Sequence, residues 1–237
     1  MTQLLLLPGL AADATMWHAQ LAVLPAALRP VVTDVHARHD SLQAMARALL
    51  EEHAGDLILC GASMGGMLAM EAARQAPQRI RGLALLGTTA RPESPQMRAL
   101  REDAIALFAQ GRIEEVIRPN VALAFHPDRA ADAALVQANL DFVLRAGAQA
   151  LIRQNRAVMA RPDAREHLGR VRCATLVLCG DSDRLAPPEC SHEIAALTPG
   201  AELVMVPQCG HMLTMERPDE VNALLLEWLG RIEPGTP

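Results

Sequence analysis

Ser63 is the side chain in this sequence best placed to act as a nucleophile. It stands at the centre of Gly61-Ala62-Ser63-Met64-Gly65, after the apolar run Leu57-Ile58-Leu59-Cys60 and before an Ala- and Met-rich amphipathic run from Met67 to Arg74. That order reads as strand, tight turn and helix, the setting in which Gly-x-Ser-x-Gly forms a nucleophile elbow. Glycines two positions either side let strand and helix pass closely while the serine backbone takes up strain. The turn also puts Ser63 at a helix N-terminus, where free N–H groups and the helix dipole favour negative charge.

A serine hydroxyl needs a base, and the base needs a group to orient it. The elbow predicts the chain order serine, acid, histidine. The apolar run Leu176-Val177-Leu178-Cys179 leads into Gly180-Asp181-Ser182-Asp183, and the next strand-like run leads into Pro207-Gln208-Cys209-Gly210-His211-Met212. Both segments begin where a parallel strand ends, on the same sheet edge as Ser63. His211 is therefore favoured as base over His18, His36, His39, His53, His126, His167 and His192. His53, His167 and His192 read as solvated surface residues. His36 and His39 are expected at the rim of the site and His126 against substrate. The acid is Asp181 or Asp183, and Asp181 also suits a cap on the turn after its strand.

Charge that develops on a carbonyl oxygen needs donors waiting for it. One is the Met64 N–H, immediately after the nucleophile. The other is expected from Pro8-Gly9-Leu10-Ala11, where Pro8 has no N–H, Gly9 lets the backbone approach and Leu10 N–H is the best candidate. Met64, Met67, Met159 and Met212 would give the mouth an adaptable apolar lining. With no tyrosine in the chain, phenolic oxyanion donors are ruled out.

The elements that must position these residues are legible as apolar runs alternating with helical stretches. Strands are expected over 3–7, 30–35, 57–60, 82–86, 175–179 and 202–206, and helices over 15–24, 41–53, 64–75, 188–196 and 218–229. The strands are mostly apolar throughout, as in a parallel sheet buried on both faces. Strand–helix alternation then implies right-handed crossovers and a doubly wound α/β sheet. Ser41, after Asp40, is expected to cap the second helix. From 91 to 170 the strand signal stops and helical periods are punctuated by Pro95, Gly111, Pro119, Pro127, Gly147 and Pro162. That stretch is read as a helical lid inserted into a core of residues 1–90 and 171–237, over the carboxyl ends of the strands where ligands bind. The tail after Arg231 is expected to fray.

At 237 residues, with 51% hydrophobic residues and a net charge of −5, the chain can bury a large core. It has neither the basic stripe nor the stacking aromatics of a nucleic-acid binder, and no apolar run of membrane-spanning length. Its first residues lack a basic segment and a cleavage site, so they read as a strand instead of a signal peptide. Cys60, Cys173, Cys179, Cys190 and Cys209 form no pair at metal spacing, and the three in or beside apolar strand-like runs read as buried free thiols, which fits a reduced, cytoplasmic protein.

Over nearly its whole length the chain resembles the α/β-hydrolase fold superfamily. The matching pieces are Leu7-Pro8-Gly9-Leu10, Gly61-Ala62-Ser63-Met64-Gly65-Gly66, Gly180-Asp181-Ser182-Asp183 and Gly210-His211. In appearance it is most similar to the 3-oxoadipate enol-lactonases and related small esterases, through Ser63–Met67, the helical lid, and Gly210-His211-Met212 followed by Glu216-Arg217-Pro218. In that family the acid usually stands three residues after the glycine, which puts Asp183 ahead of Asp181. The resemblance implies an ester or lactone hydrolase acting on a small molecule through an acyl-enzyme, with no metal or organic cofactor. The same triad also serves carbon–carbon bond hydrolases, acyltransferases and thioesterases, and the same scaffold can serve as a non-catalytic small-molecule receptor. Epoxide hydrolases and dehalogenases are disfavoured, because they need an Asp nucleophile where this chain has Ser63.

Departures from the family pattern are specific. The first loop has Pro8-Gly9 where His-Gly is common. The glycines usual after the second strand are missing from Asp34-Val35-His36-Ala37-Arg38-His39-Asp40-Ser41, so that loop is expected to take another shape, with His36 or His39 toward the pocket. The two antiparallel strands that usually open the fold are absent, leaving about six strands and an exposed edge that a homodimer would cover. Arg145, Arg153, Arg156 and Arg161 are expected on a solvated face or in lid-to-body ion pairs; one turned inward would select an anionic substrate.

Overall fold

The computed structural model describes residues 2–232. Six strands, β1 (Gln3–Leu7), β2 (Val31–Val32), β3 (Leu57–Ala62), β4 (Ile80–Leu86), β5 (Ala174–Gly180) and β6 (Glu202–Val206), form one sheet in the order β2-β1-β3-β4-β5-β6. Every pairing is parallel. The chain moves outward from β1 to β2 and then returns to lay β3 on the other side of β1. That reversal is the switch point at whose carboxyl edge open α/β sheets bind ligands.

The unbroken apolar runs follow from burial on both faces. Leu4, Leu6, Ile58, Cys60, Ala84, Leu86, Leu176 and Leu178 join one core cluster, with Trp17 and Trp228. Their neighbours Leu5, Leu7, Leu57, Leu59, Leu83, Leu85 and Val177 join the other, with Met45, Leu49, Leu68 and Ala69 from the helices Leu42–Glu52 and Met64–Gln75. Successive strand residues point to opposite faces, so each run needs an apolar residue at every position. Each fully buried leucine contributes roughly 2 kcal/mol of transfer free energy.

β2 is shorter than its apolar run suggests. The Thr33 hydroxyl accepts the Val35 N–H at 3.3 Å, and the chain leaves the sheet for a short helix, Val35–Arg38. Val35 is still fully buried, so it kept the run apolar without belonging to the strand. An edge strand this short offers little to an incoming chain.

Between β4 and β5 the described residues hold only helices and turns, with the main helices at Pro95–Ala109, Ile113–Asn120 and Ala133–Met159 and a short one at Arg165–Leu168. Ser94 accepts the Met97 N–H (3.2 Å) and Asp132 the Leu135 N–H (3.1 Å), each capping the helix it precedes. Gly147 breaks the longest of these with φ of +76°, a conformation a residue with a Cβ seldom adopts. Glu93 anchors the root of the insertion by taking hydrogen bonds from Arg101 (2.6 Å) and Arg161 (2.9 Å). Burial alone would push the Glu93 carboxyl up, but the two guanidiniums outweigh it and hold it below the usual carboxylate range.

No helix among the described residues is long and apolar enough to cross a membrane. The cysteines are all unpaired, and burial pushes the thiols of Cys60 and Cys209 up and that of Cys179 to about 12. The tail expected to fray lies outside the described residues beyond Ile232.

Candidate active site

The turn after β3 holds Ser63 at φ 54° and ψ −117°, a strained conformation for a residue with a side chain. Hydrogen bonds of its backbone impose it. The Ser63 N–H donates to the Leu86 carbonyl at the end of β4 (2.9 Å), and its own carbonyl accepts from the Thr88 hydroxyl (2.7 Å) and the Gly66 N–H (2.9 Å). Ser63 occupies the N-cap position of Met64–Gln75, yet its hydroxyl caps nothing. Ser41, in the same position on Leu42–Glu52, does cap, accepting the Ala44 N–H at 3.2 Å. The turn thus withholds Ser63 from the usual work of a helix-start serine and leaves its hydroxyl free.

A Cβ on Gly65 would lie 2.0 Å from the Leu7 carbonyl oxygen of β1. Gly65→Ala is therefore expected to destabilise the chain by about 3 kcal/mol through overpacking against backbone that cannot yield. Urea unfolding would measure it, and an unchanged midpoint would contradict the close approach.

Asp183 and His211 meet at the ends of β5 and β6. His211 Nδ1 lies 2.8 Å from Asp183 Oδ2, and Asp183 Oδ1 accepts the N–H groups of Leu185 (2.8 Å) and Ala186 (2.9 Å). Asp181 lies differently: its carboxylate takes the Gln208 N–H (3.0 Å) and the Cys209 N–H (3.3 Å), tying the end of β5 to the loop that carries His211. Of the two aspartates left open by residue type, the structure pairs Asp183 with the imidazole. Burial disfavours a charged His211, but the Asp183 carboxylate, its hydrogen bond and the charge of Glu216 outweigh this and hold the pKa above its ordinary value.

Gly87 connects the pair to the elbow. It follows Leu86, the acceptor of the Ser63 N–H, and a Cβ on it would lie 3.1 Å from Asp183 Oδ2 and 3.4 Å from His211 Nδ1. The turn after β4 therefore has Ser63 on one side and the Asp183–His211 pair on the other.

The loop after β1 completes the edge. A Cβ on Gly9 would lie 3.4 Å from Ser63 Cβ, so this loop passes directly over the nucleophile candidate. Gly9 N–H donates to Met16 Sδ (3.5 Å) and Ala11 N–H to Gln154 Oε1 (2.6 Å). Between them the Leu10 N–H has no acceptor among the described residues. Met64 is the first residue of its helix, so its N–H has no intrahelical acceptor either. Both amides expected to bind an oxyanion are thus unclaimed. Three of the non-glycine residues with positive φ are Ala11, Ser63 and Gln208, all in loops at this edge.

Residues 4–224 match the model of the alpha/beta hydrolase family. The chain belongs to that family. It is 30% identical to the pimeloyl-[acyl-carrier protein] methyl ester esterase of Aromatoleum aromaticum, over 94% of this chain and 96% of that protein. It is 26% identical to RutD of Serratia proteamaculans, a candidate carbamate hydrolase, over 95% of this chain and 90% of the relative. Among solved structures, a thermophilic esterase from Thermogutta terrifontis with malate bound superposes with a TM-score of 0.89 at 26% identity, covering 99% of this chain and 91% of the other.

The remaining residues singled out by the sequence of this alpha/beta hydrolase take varied places. His36 is buried in the short helix Val35–Arg38, and its Nε2–H donates to the Ala12 carbonyl at 2.8 Å. It braces the loop after β1 where a pocket-facing side chain was expected; burial pushes its pKa down. His126 is half-buried, with Nδ1 accepting the Asp128 N–H at 3.2 Å. Met212 is buried beside His211, and both donate N–H groups to the Ala124 carbonyl. Arg145 pairs with Asp13 (2.8 Å), Arg153 donates to the Ala37 carbonyl and Arg161 pairs with Glu93, while Arg156 is exposed.

Two functional candidates escaped sequence reading. Gln154 is a buried polar residue on the apolar face of its helix, beside Leu151, Ile152, Ala157 and Val158, and that misplacement is its sequence signal. Glu216 is 4% exposed and accepts three N–H groups, from Gly210 (3.0 Å), Met212 (3.1 Å) and His126 (2.8 Å). It clasps the histidine loop to the helical insertion.

Proposed function

We propose that the chain is a serine hydrolase that cleaves a carboxylic ester or lactone of a small organic acid through an acyl-enzyme. The observation that carries the reading is the 2.8 Å contact of Asp183 with His211 Nδ1, across the Gly87 turn from a serine whose hydroxyl caps nothing. Held by Asp183, the imidazole keeps its proton on Nδ1 and offers Nε2 as a base. Ser63 Oγ attacks the substrate carbonyl as His211 takes its proton, and Leu10 and Met64 N–H groups donate to the oxyanion. The C–O bond to the leaving alcohol breaks with return of that proton to the departing oxygen. Water then gives its proton to His211, attacks the acyl carbon and releases the acid, restoring Ser63.

The ester and methyl ester names of two relatives support oxygen-ester chemistry, and the helical insertion between β4 and β5 acts as the lid. The name of RutD supports a carbamate as the second substrate class. A test is to treat the protein with a fluorophosphonate, read by intact mass, beside turnover of p-nitrophenyl acetate and butyrate and an aryl carbamate. Stoichiometric labelling with ester turnover is expected. A folded protein that takes no label would overturn the reading, and carbamate turnover exceeding that of both esters would replace the substrate class.

A further inference from the structure

We propose that Gln154, from the helical insertion, is a positioning residue for the oxyanion hole; this rests on the serine-hydrolase reading above. A primary amide carries both an acceptor and donors, and Gln154 uses both. Its Oε1 accepts the Ala11 N–H at 2.6 Å and its Nε2 donates to the His36 carbonyl at 3.1 Å. His36 in turn donates from Nε2 to the Ala12 carbonyl at 2.8 Å. The three bonds close a circuit from the insertion to the loop after β1, on to the helix Val35–Arg38 and back. Gln154 is 1% exposed and His36 4%, so water does not replace a bond that is lost.

The circuit fixes the peptide plane that matters. Leu10 N–H shares its plane with the Gly9 carbonyl, and that carbonyl accepts the Ala12 N–H at 3.2 Å. Ala12 is held through its own carbonyl by His36, and Ala11 through its N–H by Gln154. Ala11 sits at φ +60°, which a residue with a Cβ keeps only when its surroundings enforce it. Without Gln154 the loop is free to relax, and Leu10 N–H turns from the place where the oxyanion forms. Gln154 touches none of the reacting atoms; it acts through Ala11. The donor is therefore set only while the insertion is docked, which couples lid position to catalytic competence.

The test compares wild type with Gln154→Met, which keeps the length of the side chain and removes both bonds. Turnover of p-nitrophenyl butyrate should fall in kcat by roughly tenfold to a hundredfold, less than the complete loss of a donor, with KM within about twofold. Inhibition by a trifluoromethyl ketone, whose adduct places an oxyanion in the same hole, should weaken by the same factor as kcat/KM. Amide exchange in residues 8–12 should accelerate. Should Gln154→Met not fold, His36→Gln carries the same readouts from the other strut.

A labelled, active Gln154→Met with unchanged kcat and unchanged inhibition overturns the proposal alone. So does a rise in KM with kcat preserved, which would make Gln154 a substrate contact. A wild type that takes no fluorophosphonate label overturns the serine-hydrolase reading and the oxyanion role with it, while the exchange of residues 8–12 still reads whether Gln154 holds the loop.

Discussion

Replacing Ser63 with alanine is expected to lower kcat by about 10⁶-fold and to abolish fluorophosphonate labelling, because the members of such a triad act as a unit. The fold should survive. The contacts that hold residue 63 are made by its backbone to Leu86, Thr88 and Gly66, and alanine keeps all of them. Ser63→Gly adds a sharper test, since glycine adopts φ 54° without the strain that serine or alanine meets there. It should be as inactive as the alanine variant yet more stable than it by about 1 kcal/mol. Substantial turnover by the alanine variant, under esterase-free preparation, would remove Ser63 from the mechanism. Equal stability of the two variants would mean that the elbow stores no strain.

Asp183→Asn is expected to reduce kcat by about 10⁴-fold, since the amide stabilises the wrong imidazole tautomer and no longer offsets the imidazolium charge. Two pH dependences follow with definite signs. His211 must be neutral to act as base, and its pKa lies above the ordinary 6.5, so kcat/KM of wild type should rise with pH along a limb centred above that value. Removal of the carboxylate, the first of the raising influences, should move the limb of the residual activity to lower pH. Stability shows the same coupling. A raised pKa in the folded state stabilises below the unfolded pKa, and that contribution fades as pH climbs through the folded one. The stability deficit of Asp183→Asn should therefore be larger at acid pH than at alkaline pH. Asp181→Asn, whose partners are backbone N–H groups of Gln208 and Cys209, should cost about 1 kcal/mol of stability and little turnover. Interchanged effects of the two substitutions on kcat would assign the acid to Asp181.

Where a residue's chemistry depends on its neighbours in sequence, the sequence announced it. Gly61 and Gly65 around Ser63 specify a tight strand-to-helix turn because strand and helix must pass within van der Waals contact, and Met64–Gln75 begins where that reasoning put it. The sheet was legible because apolar side chains at every strand position have meaning only when both faces are covered. Residue type alone left Asp181 and Asp183 undecided, since both follow the same strand; the family pattern favoured Asp183, and geometry separates them, Asp183 being buried against His211 and Asp181 exposed. His36 misled for a related reason. A histidine near a site is compatible with lining it or with holding its backbone, and only the 2.8 Å contact with Ala12 separates the two. Val35 shows the limit for secondary structure, because a buried valine reads alike in a strand and in a helical turn. Gln154 and Glu216 were least accessible, since Gln154 reaches Ala11 and His36, and Glu216 reaches His126, across long sequence separations to backbone groups.

The two residues that join the insertion to the carboxyl edge of the sheet differ in what they demand of it. Glu216 asks only for a main-chain N–H at position 126, which any residue except proline supplies. Gln154 asks for one side chain, with its oxygen and nitrogen aimed at different partners. Grafting the helical segment of another alpha/beta hydrolase onto this core would therefore preserve the grip on the histidine loop almost regardless of donor. It would preserve the grip on the first loop only if the donor brought a primary amide to the place of Gln154. In a set of such chimeras, inheritance of that one amide, more than overall similarity of the grafted helices, should sort the active from the inert.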